Sequence, residues 1–435
     1  MNRIVIVGAS LAGLRAAEAL RDEGFAGELT VIGDEPHAPY DRPPLSKAVL
    51  SGWLDTDHIT LPRLRDIDAT WLLGVAATGL DLRERHVQLA DGRRVDFDGL
   101  VIATGTRARP WPVPAEAALP GVHVLRGRDD ADRLRADLAA GPKRVLVIGG
   151  GFTGSEVAGG CRELGLEVTL THRGAAPMSS ALGGTVAAFA ADVQRAAGVD
   201  LRLGTTVSKL DGDGRLHRAW LSDGTAVDVD VAVIALGAVS NVEWLTGSGL
   251  MADERGAVCD TTCRALTADG SVADGVFIAG DVARWPHPLY PGDLVRLDHW
   301  GNAVSQAKTV AHNLVHGGHR RHDELPAFWS NQFGVNLKSV GLPTYGDEVV
   351  ITQGSLSDTK FVAVYGRDGR TVAAVAVNAP RQLDGYAQLI ASGTPFPPAI
   401  NAPDGPALPS IVDAEFPQPD FTQPDFTQPL AAAVR

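Results

Sequence analysis

Apolar and polar positions near the N-terminus follow the order strand, glycine turn, helix, strand. Residues 4–7 are a continuous β-branched run, which is typical of a strand buried on both faces. A glycine turn covers residues 8–13, and residues 14–21 are helix formers with apolar side chains at helical spacing. A second apolar run follows at residues 29–32. The pattern therefore predicts a βαβ unit.

The same order returns in the middle of the chain. It predicts a strand at 144–148, a glycine turn at 149–154, a helix at 155–164 and a strand at 167–170. One chain thus carries two dinucleotide-type units. The remaining long elements expected in this part are strands at 100–105, 229–237 and 275–281 and a helix at 300–314.

The pattern changes character from residue 325 onward. Short strand-like runs alternate with turns, as at 359–365 and 371–377, which predicts a third domain with an antiparallel sheet. After residue 396 proline dominates, and Pro-Asp-Phe-Thr-Gln occurs twice in succession. We interpret this tail as extended or disordered. The fold class expected is α/β, with a C-terminal α+β domain.

Length and charge narrow the possible partners and compartments. A chain of 435 residues is expected to form two or three domains. Its net charge of -13 argues against a nucleic-acid partner, and no uncharged apolar run is long enough to cross a bilayer. Three cysteines do not suggest a disulfide-built secreted domain, and the first strand leaves no room for a signal peptide. We expect a cytoplasmic protein.

The first glycine turn has the form Gly8-x-Ser10-x-x-Gly13. Free amides at the start of a helix offer a site for a pyrophosphate, although serine replaces the middle glycine where the backbone must approach the ligand. Asp34 and Glu35 end the next strand, where a carboxylate can accept hydrogen bonds from an adenosine ribose. Glu35 is the preferred candidate and Asp34 the alternative. A βαβ turn without a ligand is the competing interpretation.

The second turn, Gly149-x-Gly151-x-x-Gly154, follows the full fingerprint and predicts a second pyrophosphate site. The strand after it ends in Thr171-His172-Arg173, without a carboxylate. Arginine at this position suits a 2′-phosphate, and the missing acid removes the repulsion against it. These residues favour NADPH, with NADH still open.

Further motifs carry a family resemblance. The run Pro39-Tyr40-Asp41-Arg42-Pro43-Pro44-Leu45-Ser46-Lys47 follows the first unit. With the glycine turns and four later motifs in the same order, it resembles the FAD-dependent ferredoxin reductases of bacterial oxygenase systems over residues 1 to 400. The later motifs are Ala103-Thr104-Gly105, Ala279-Gly280-Asp281, Asp298-His299-Trp300 and Phe328-Trp329-Ser330.

The resemblance implies a glutathione-reductase-like arrangement of two Rossmann-like domains. Residues 1–110 and 242–322 would form a discontinuous FAD-binding domain, and 111–241 an NAD(P)H-binding domain. Residues 323–400 would form the C-terminal α+β domain beside the flavin, followed by the proline-rich tail at 401–435.

The resemblance also assigns residues to the two cofactors and to no metal. The FAD contacts it implies are Gly8, Ser10, Leu11, Ala12, Gly13, Asp34, Glu35, Arg42, Lys47, Ala103, Thr104, Gly105, Asp281, Asp298, His299 and Trp300. The NAD(P)H contacts are Gly149, Gly151, Phe152, Thr153, Gly154, Glu156, His172 and Arg173. The residues nearest the chemistry are Lys47, Glu156, Trp300 and Trp329.

Physical chemistry supports several of these roles. Arg42 offers a planar fork suited to phosphate. Lys47, paired by resemblance with Glu156, would stabilise a reduced, anionic flavin, and Asp281 can accept a ribityl hydroxyl. Asp298 stands where the family usually has glutamate, so its reach is shorter. Each role has a simpler alternative interpretation. Lys47 would be a solvated surface lysine, Asp281 a helix N-cap and Trp329 a core residue.

The function implied is an enzyme that takes a hydride from NAD(P)H onto FAD. Single electrons then pass to an iron–sulfur ferredoxin, expected to be of the 2Fe-2S type, which feeds a haem monooxygenase or a ring-hydroxylating dioxygenase.

Two alternatives remain open from the sequence. One is a nicotinamide-sensing flavoprotein resembling apoptosis-inducing factor. The other is a flavin disulfide reductase or NADH oxidase, which would need a redox-active cysteine near the flavin. The first 160 residues contain none, and we interpret Cys259 and Cys263 as buried or turn cysteines.

A basic rim is expected for docking an acidic ferredoxin. The candidates are Arg63, Arg65, Arg284, Arg296 and the run His319-Arg320-Arg321-His322. For each of them an ordinary solvated charge is the competing interpretation.

Overall fold

A computed structural model describes residues 1–398. The tail predicted at 401–435 lies outside the described residues. Within the described part, no helix has both the length and the apolar character needed to cross a bilayer.

The first unit is built on a six-stranded sheet. The chain's first strand, Arg3–Val7, lies inside this sheet and pairs in parallel with strands on both sides, so four of its five residues are buried. Helix Leu11–Asp22 follows after residues 8–10 of the glycine turn and starts three residues earlier than predicted. The sheet order is Arg264–Leu266, Val272–Ile278, Gly99–Ile102, Arg3–Val7, Glu28–Gly33 and Thr70–Leu73.

The second unit repeats this plan with five parallel strands. Its order is Asp200–Leu203, Glu167–His172, Arg144–Ile148, Val231–Ile234 and Val122–Val124. The helices of this part of the chain are Pro114–Ala117, Arg128–Ala139, Phe152–Glu163 and Ser179–Ala196. Residues 149–151 connect a buried strand to helix Phe152–Glu163, which starts three residues earlier than predicted, so the two glycine turns occupy equivalent places.

Each unit also carries a three-stranded antiparallel meander, which the sequence pattern did not predict. The first consists of Ala77–Asp81, His86–Leu89 and Arg94–Asp96, and the second of Val207–Gly212, Leu216–Leu221 and Ala226–Asp228.

The two crossings between the units run side by side. Thr106–Ala108 leaves the first unit and pairs antiparallel with Ala238–Ser240, which returns to it. After the return, the chain forms a small four-stranded sheet from Ala252–Asp253, Gly256–Val258, Ala283–Pro286 and Leu294–Val295. Helix Trp300–His316 then packs against helix Leu11–Asp22.

The C-terminal unit is an antiparallel sheet with one covering helix, Leu383–Ala391. Its order is Ala327–Gln332, Val335–Gly341, Arg370–Val377, Lys360–Arg367 and Glu348–Ser355. One face buries Tyr386 of the helix, and the other shares a core with both nucleotide units, including Ile102, Leu182 and Phe328. The predicted fold class is thereby confirmed.

Candidate functional site

The first glycine turn is shaped for close backbone approach. Gly8 has a φ of +123°, and a Cβ there would lie 2.1 Å from the carbonyl oxygen of Ala103. A Cβ on Gly13 would lie 1.8 Å from the carbonyl oxygen of Gly8. Helix Leu11–Asp22 has no acidic residue in its first turn. Its free amides could therefore hold an anion without a competing carboxylate in the first turn.

Arg42 and Glu35 lie together beside this turn. The Arg42 guanidinium donates to Glu35 at 2.5 Å and to the carbonyl oxygen of Arg126 at 2.8 Å. Tyr40 donates its hydroxyl to the other oxygen of Glu35. Asp34 is exposed and accepts the backbone N–H of Glu35. Of the two acids left open by the sequence, the structure places Glu35 in the cluster.

The Ala279-Gly280-Asp281 motif reaches the first helix. A Cβ on Gly280 would lie 2.8 Å from the Cβ of Ala12, so only glycine permits this approach. The Asp281 carboxylate accepts a hydrogen bond from Arg126, which also holds Arg42 through its carbonyl oxygen. Arg126 carried no sequence signal, yet it connects the two motifs.

Asp298 is a carboxylate with an unsatisfied oxygen. Burial and the nearby Asp281 raise the pKa of Asp298 to about 6. Arg296 lies 3.3 Å from Oδ2, whereas the buried Oδ1 has no hydrogen-bond partner among the described residues. A buried acceptor left open in this way fits an N–H or O–H donor on a bound cofactor.

His299 and Trp300 start the helix that faces the site. His299 is its N-cap, and burial lowers the pKa of His299 to about 4, which keeps the ring neutral. The ring stacks on Phe328 with 5.3 Å between centroids. The Trp300 indole N–H donates to Asp41 at 3.2 Å, and burial raises the pKa of Asp41. This contact ties the helix start to the motif at 39–47.

Glu156 is the point where three parts of the chain meet. Lys47 Nζ lies 2.7 Å from its Oε2, and Ser46 donates to the same oxygen at 2.6 Å. Ser330, from the C-terminal sheet, donates to Oε1 at 2.6 Å. The Glu156 side chain is only 9% exposed. Both carboxylate oxygens are therefore held by donors from the first unit and the C-terminal unit.

The second glycine turn repeats the geometry of the first. Gly149 has a φ of +111°, and a Cβ there would lie 2.2 Å from the carbonyl oxygen of Ala235. A Cβ on Gly154 would lie 1.9 Å from the carbonyl oxygen of Gly149. Thr153 is exposed, and Phe152 packs on Phe328 with 5.0 Å between ring centroids. Gly151 is the N-cap of the helix.

The strand end beside this turn presents a neutral histidine and an exposed arginine. The N–H of Gly150 donates to His172 Nδ1 at 3.3 Å. Burial and the neighbouring Arg173 lower the pKa of His172, so its ring is neutral at pH 7. Arg173 itself is exposed.

The Ala103-Thr104-Gly105 motif is hydrogen-bonded to Asn241, which follows the returning strand Ala238–Ser240. The Thr104 hydroxyl donates to the Asn241 carbonyl oxygen at 2.7 Å, and the Asn241 amide donates back to the Thr104 carbonyl oxygen at 2.9 Å. The motif lies beside the first glycine turn, and these hydrogen bonds hold there the segment that returns from the second unit to the first.

Trp329 lies apart from the Glu156 cluster. Phe328 and Ser330 point to the site, and side chains alternate along a strand, so Trp329 is on the opposite face, where it is half-buried. Sequence reasoning also missed Asp41, Ser46 and Ser330 as site residues. Each of these lies inside or beside a motif already quoted, so proximity in sequence was the available signal.

The cysteines and two docking candidates do not fit the roles considered for them. Cys161, Cys259 and Cys263 are free and buried, and burial raises the pKa of Cys161 to about 12. A buried, protonated thiol is a poor redox nucleophile. His322 is 2% exposed, and Arg284 is largely buried and paired with Asp253 at 3.0 Å. The prediction that His322 and Arg284 belong to an exposed docking rim was therefore wrong.

The other docking candidates differ in exposure. Arg296 is partly buried and pairs with Asp298, so it belongs to the site. The exposed candidates are Arg63, Arg65, His319, Arg320 and Arg321.

Comparisons with known proteins agree on one family. The pattern of the pyridine nucleotide-disulphide oxidoreductases matches residues 2–307, and that of the reductase C-terminal domain matches 327–412. Rhodocoxin reductase of Rhodococcus erythropolis is 35% identical over 91% of each chain. The ferredoxin–NAD(+) reductase subunit of the benzene 1,2-dioxygenase system of Pseudomonas putida is 36% identical over 87% of this chain and 90% of its own.

A solved structure gives the same result. The crystal structure of the covalent putidaredoxin reductase–putidaredoxin complex superimposes with a TM-score of 0.82 at 32% identity, covering 91% of this chain and 94% of the other.

Proposed function

The chain belongs to the pyridine nucleotide-disulphide oxidoreductase family, among the ferredoxin reductases of oxygenase systems, and we propose that it passes electrons from NAD(P)H to a [2Fe-2S] ferredoxin. Its cofactors are FAD and NAD(P)H. When bound, FAD accepts a hydride from the nicotinamide and releases electrons one at a time. The residues of the chain bind, orient and electrostatically tune the site.

One observation carries the proposal: two glycine turns of the same shape belong to units that meet at the Lys47–Glu156 ion pair. Gly8 and Gly149 both have positive φ and both abut a backbone carbonyl of the neighbouring strand end. Each turn therefore presents helix amides to a pyrophosphate. The ion pair at 2.7 Å joins Lys47, the last residue of the motif at 39–47, to helix Phe152–Glu163, which starts at the second glycine turn.

We assign the FAD adenosine end to Glu35, Arg42 and the first turn. Glu35 would accept from the ribose, and Arg42 would turn its fork to the pyrophosphate. Asp281 and the open oxygen of Asp298 would accept from donors on the rest of the cofactor. We place the domain boundaries at 1–110 with 242–322 for FAD, 111–241 for NAD(P)H and 323–400 for the C-terminal domain.

Lys47 and Glu156 would act at the meeting point of the two rings. Glu156 is fixed through both oxygens, so it can hold a nicotinamide carboxamide in one orientation. Lys47 supplies positive charge where the reduced flavin becomes anionic. The start of helix Trp300–His316 adds amide dipoles of the same sign.

The proposal is tested with purified protein and added ferredoxin. We expect a flavin spectrum, bleaching by NADPH or NADH under anaerobic conditions, and cytochrome c reduction that depends strongly on ferredoxin. Glu156→Gln should slow bleaching while the FAD content stays unchanged. A colourless protein that takes up no FAD contradicts the proposal. A slow charge-transfer complex without ferredoxin-dependent turnover would indicate a nicotinamide sensor instead.

The acceptor downstream of the ferredoxin is a haem monooxygenase or a ring-hydroxylating dioxygenase. The relatives named above include a dioxygenase reductase subunit, which supports an oxygenase system for this chain. We further propose a cytoplasmic location, since the three described cysteines are free thiols, as expected in a reducing compartment. Cell fractionation followed by immunodetection tests this location.

A further inference from the structure

Two helices of the first unit end at the same place, away from the glycine turns. Gly280 lies between Ala12 and Ala303 near the starts of helices Leu11–Asp22 and Trp300–His316, so the two helices run in the same direction. Glu23, the C-cap of the first helix, reaches the last turns of the second. At 1.5 Å per residue, this end is about 18 Å from the first glycine turn.

Two histidines on the second helix face Glu23. His312 and His316 are four residues apart, which places both rings on one side of the helix. His312 Nδ1 lies 3.2 Å and His316 Nε2 2.8 Å from Glu23 Oε2. The three ligand atoms all lie within 4.8 Å of one another. Donor atoms around a tetrahedral ion are about 3.4 Å apart, so small rotations would admit an ion.

The surroundings favour a cation and leave room for water. The carbonyl ends of two helices converge here, and the partial negative charge of a helix C-terminus stabilises positive charge. Glu23 adds a formal negative charge. The side chains of Glu23, His312 and His316 are 27%, 36% and 47% exposed. A bound ion could therefore complete its coordination with water from the open side.

The donor set selects the kind of ion. Two imidazole nitrogens and one carboxylate oxygen suit Zn²⁺, Ni²⁺ and Cu²⁺, whereas Mg²⁺ and Ca²⁺ prefer sites built from oxygen alone. No other group of three or more such ligands is found in residues 1–398. We propose that Glu23, His312 and His316 bind one divalent ion of this class, for which Zn²⁺ is the probe, and that the ion clips together the ends of the two helices.

The consequence of the clip is thermodynamic. The site lies about 18 Å from the first glycine turn, at the far ends of the two helices, so we assign the ion no part in electron transfer. A ligand that binds the folded chain and not the unfolded chain stabilises the fold by mass action. Since both helices begin at the FAD site, the clip would hold the elements that carry Gly13 and Trp300.

The test uses untagged, FAD-loaded protein that has been treated with EDTA and dialysed. Calorimetric titration with ZnCl₂ should give one equivalent of saturable binding, and thermal unfolding should shift to higher temperature with Zn²⁺. His312→Gln and His316→Gln should each weaken the affinity by more than about tenfold. His217→Gln is the matched control, because His217 is exposed on the second unit's meander. It should bind Zn²⁺ like the parent protein.

Three results would overturn the clip. The first is the absence of saturable binding heat up to about 100 μM Zn²⁺. The second is that His312→Gln and His316→Gln bind Zn²⁺ with the affinity of the parent protein. The third is that His217→Gln no longer binds one equivalent of Zn²⁺. Should a histidine variant fail to fold, Glu23→Gln replaces it, since it keeps the side-chain shape and removes the anionic ligand.

Discussion

At the scale of single residues, Asp298 is a buried carboxylate with a raised pKa. Its pKa of about 6 lies above the ordinary value of 3.8, so ionisation costs free energy in the folded chain. The contribution of the protonated Asp298 carboxyl to folding stability is fully present below the pKa of 3.8 in the unfolded chain. It is lost as the pH rises through about 6, the pKa in the folded chain. Folding is therefore opposed by this residue at neutral pH, unless a cofactor donor satisfies the open oxygen.

Replacing Asp298 by asparagine should remove this pH dependence. In FAD-free protein we expect Asp298→Asn to match the parent near pH 4 and to be more stable by about 3 kcal/mol above pH 7. Urea unfolding at several pH values measures the difference. Asp213→Asn, in an exposed turn, is the control. A difference in free energy of unfolding that stays constant across pH would show that Asp298 is not the titrating group.

Arg173 decides the nucleotide preference if the strand end binds the adenosine ribose. The 2′-phosphate of NADPH would meet an exposed guanidinium and a neutral His172, whereas NADH gains little from either. Arg173→Ala should raise the KM for NADPH by about tenfold, or about 1.4 kcal/mol, with little change for NADH. Steady-state kinetics with both nucleotides measures the effect. Parent protein with a much lower KM for NADH would contradict the NADPH preference.

At the scale of elements, the two strand–turn–helix segments allow a matched comparison. An added Cβ would lie 2.1 Å from a carbonyl oxygen at Gly8 and 2.2 Å at Gly149, so the distortion should be equal in both turns. Gly8→Ala should lower the FAD content after purification. Gly149→Ala should keep FAD and raise the KM for NAD(P)H by at least about tenfold. The absorbance ratio of flavin to protein and the kinetics measure these outcomes.

The comparison of Gly8→Ala with Gly149→Ala has a control variant and an outcome that would contradict the assignment. Gly184 lies in helix Ser179–Ala196, and a Cβ there would meet no atom within 4 Å, so Gly184→Ala should change neither cofactor. Loss of FAD from Gly149→Ala together with normal FAD in Gly8→Ala would exchange the two assignments.

The central strands of the two mainly parallel sheets were predictable because their burial is nearly uniform. Strand Arg144–Ile148 was predicted with its observed bounds, since four of its five residues are buried apolar side chains. The meanders escaped prediction because their strands mix exposed with buried positions, as in Ala77–Asp81 and Val207–Gly212. A weak period of two cannot be separated from a turn by pattern alone.

Contacts between distant segments were the least predictable part of the site. Arg126 meets Asp281 across 155 positions, and Ser330 meets Glu156 across 174. Arginine and serine are common residue types that do not by themselves mark a site. A sequence pattern also gives no spacing rule for partners so far apart along the chain. The glycine turns were visible because their function is local, whereas these partners are set by how the units pack.

At the scale of the whole molecule, the site divides between two faces of the C-terminal sheet. Ser330 points to Glu156, and Trp329 lies on the opposite face of the same strand. By family resemblance Trp329 lies near the approach of the partner. We therefore propose that the C-terminal unit contributes to reduction by NAD(P)H through Ser330 and to contact with ferredoxin through Trp329. We expect the two half-reactions to respond to different substitutions.

The contrast between Trp329→Ala and Glu156→Gln makes that division measurable. Trp329→Ala should leave anaerobic reduction by NAD(P)H within about twofold and lower ferredoxin-dependent cytochrome c reduction by at least about tenfold. Glu156→Gln should slow the first step, because the carboxylate that holds the nicotinamide is lost. Trp220→Ala, an exposed tryptophan of the second meander, should change neither rate. If Trp329→Ala slows both steps equally, its indole acts on the fold or the flavin itself, and the proposed separation of faces fails.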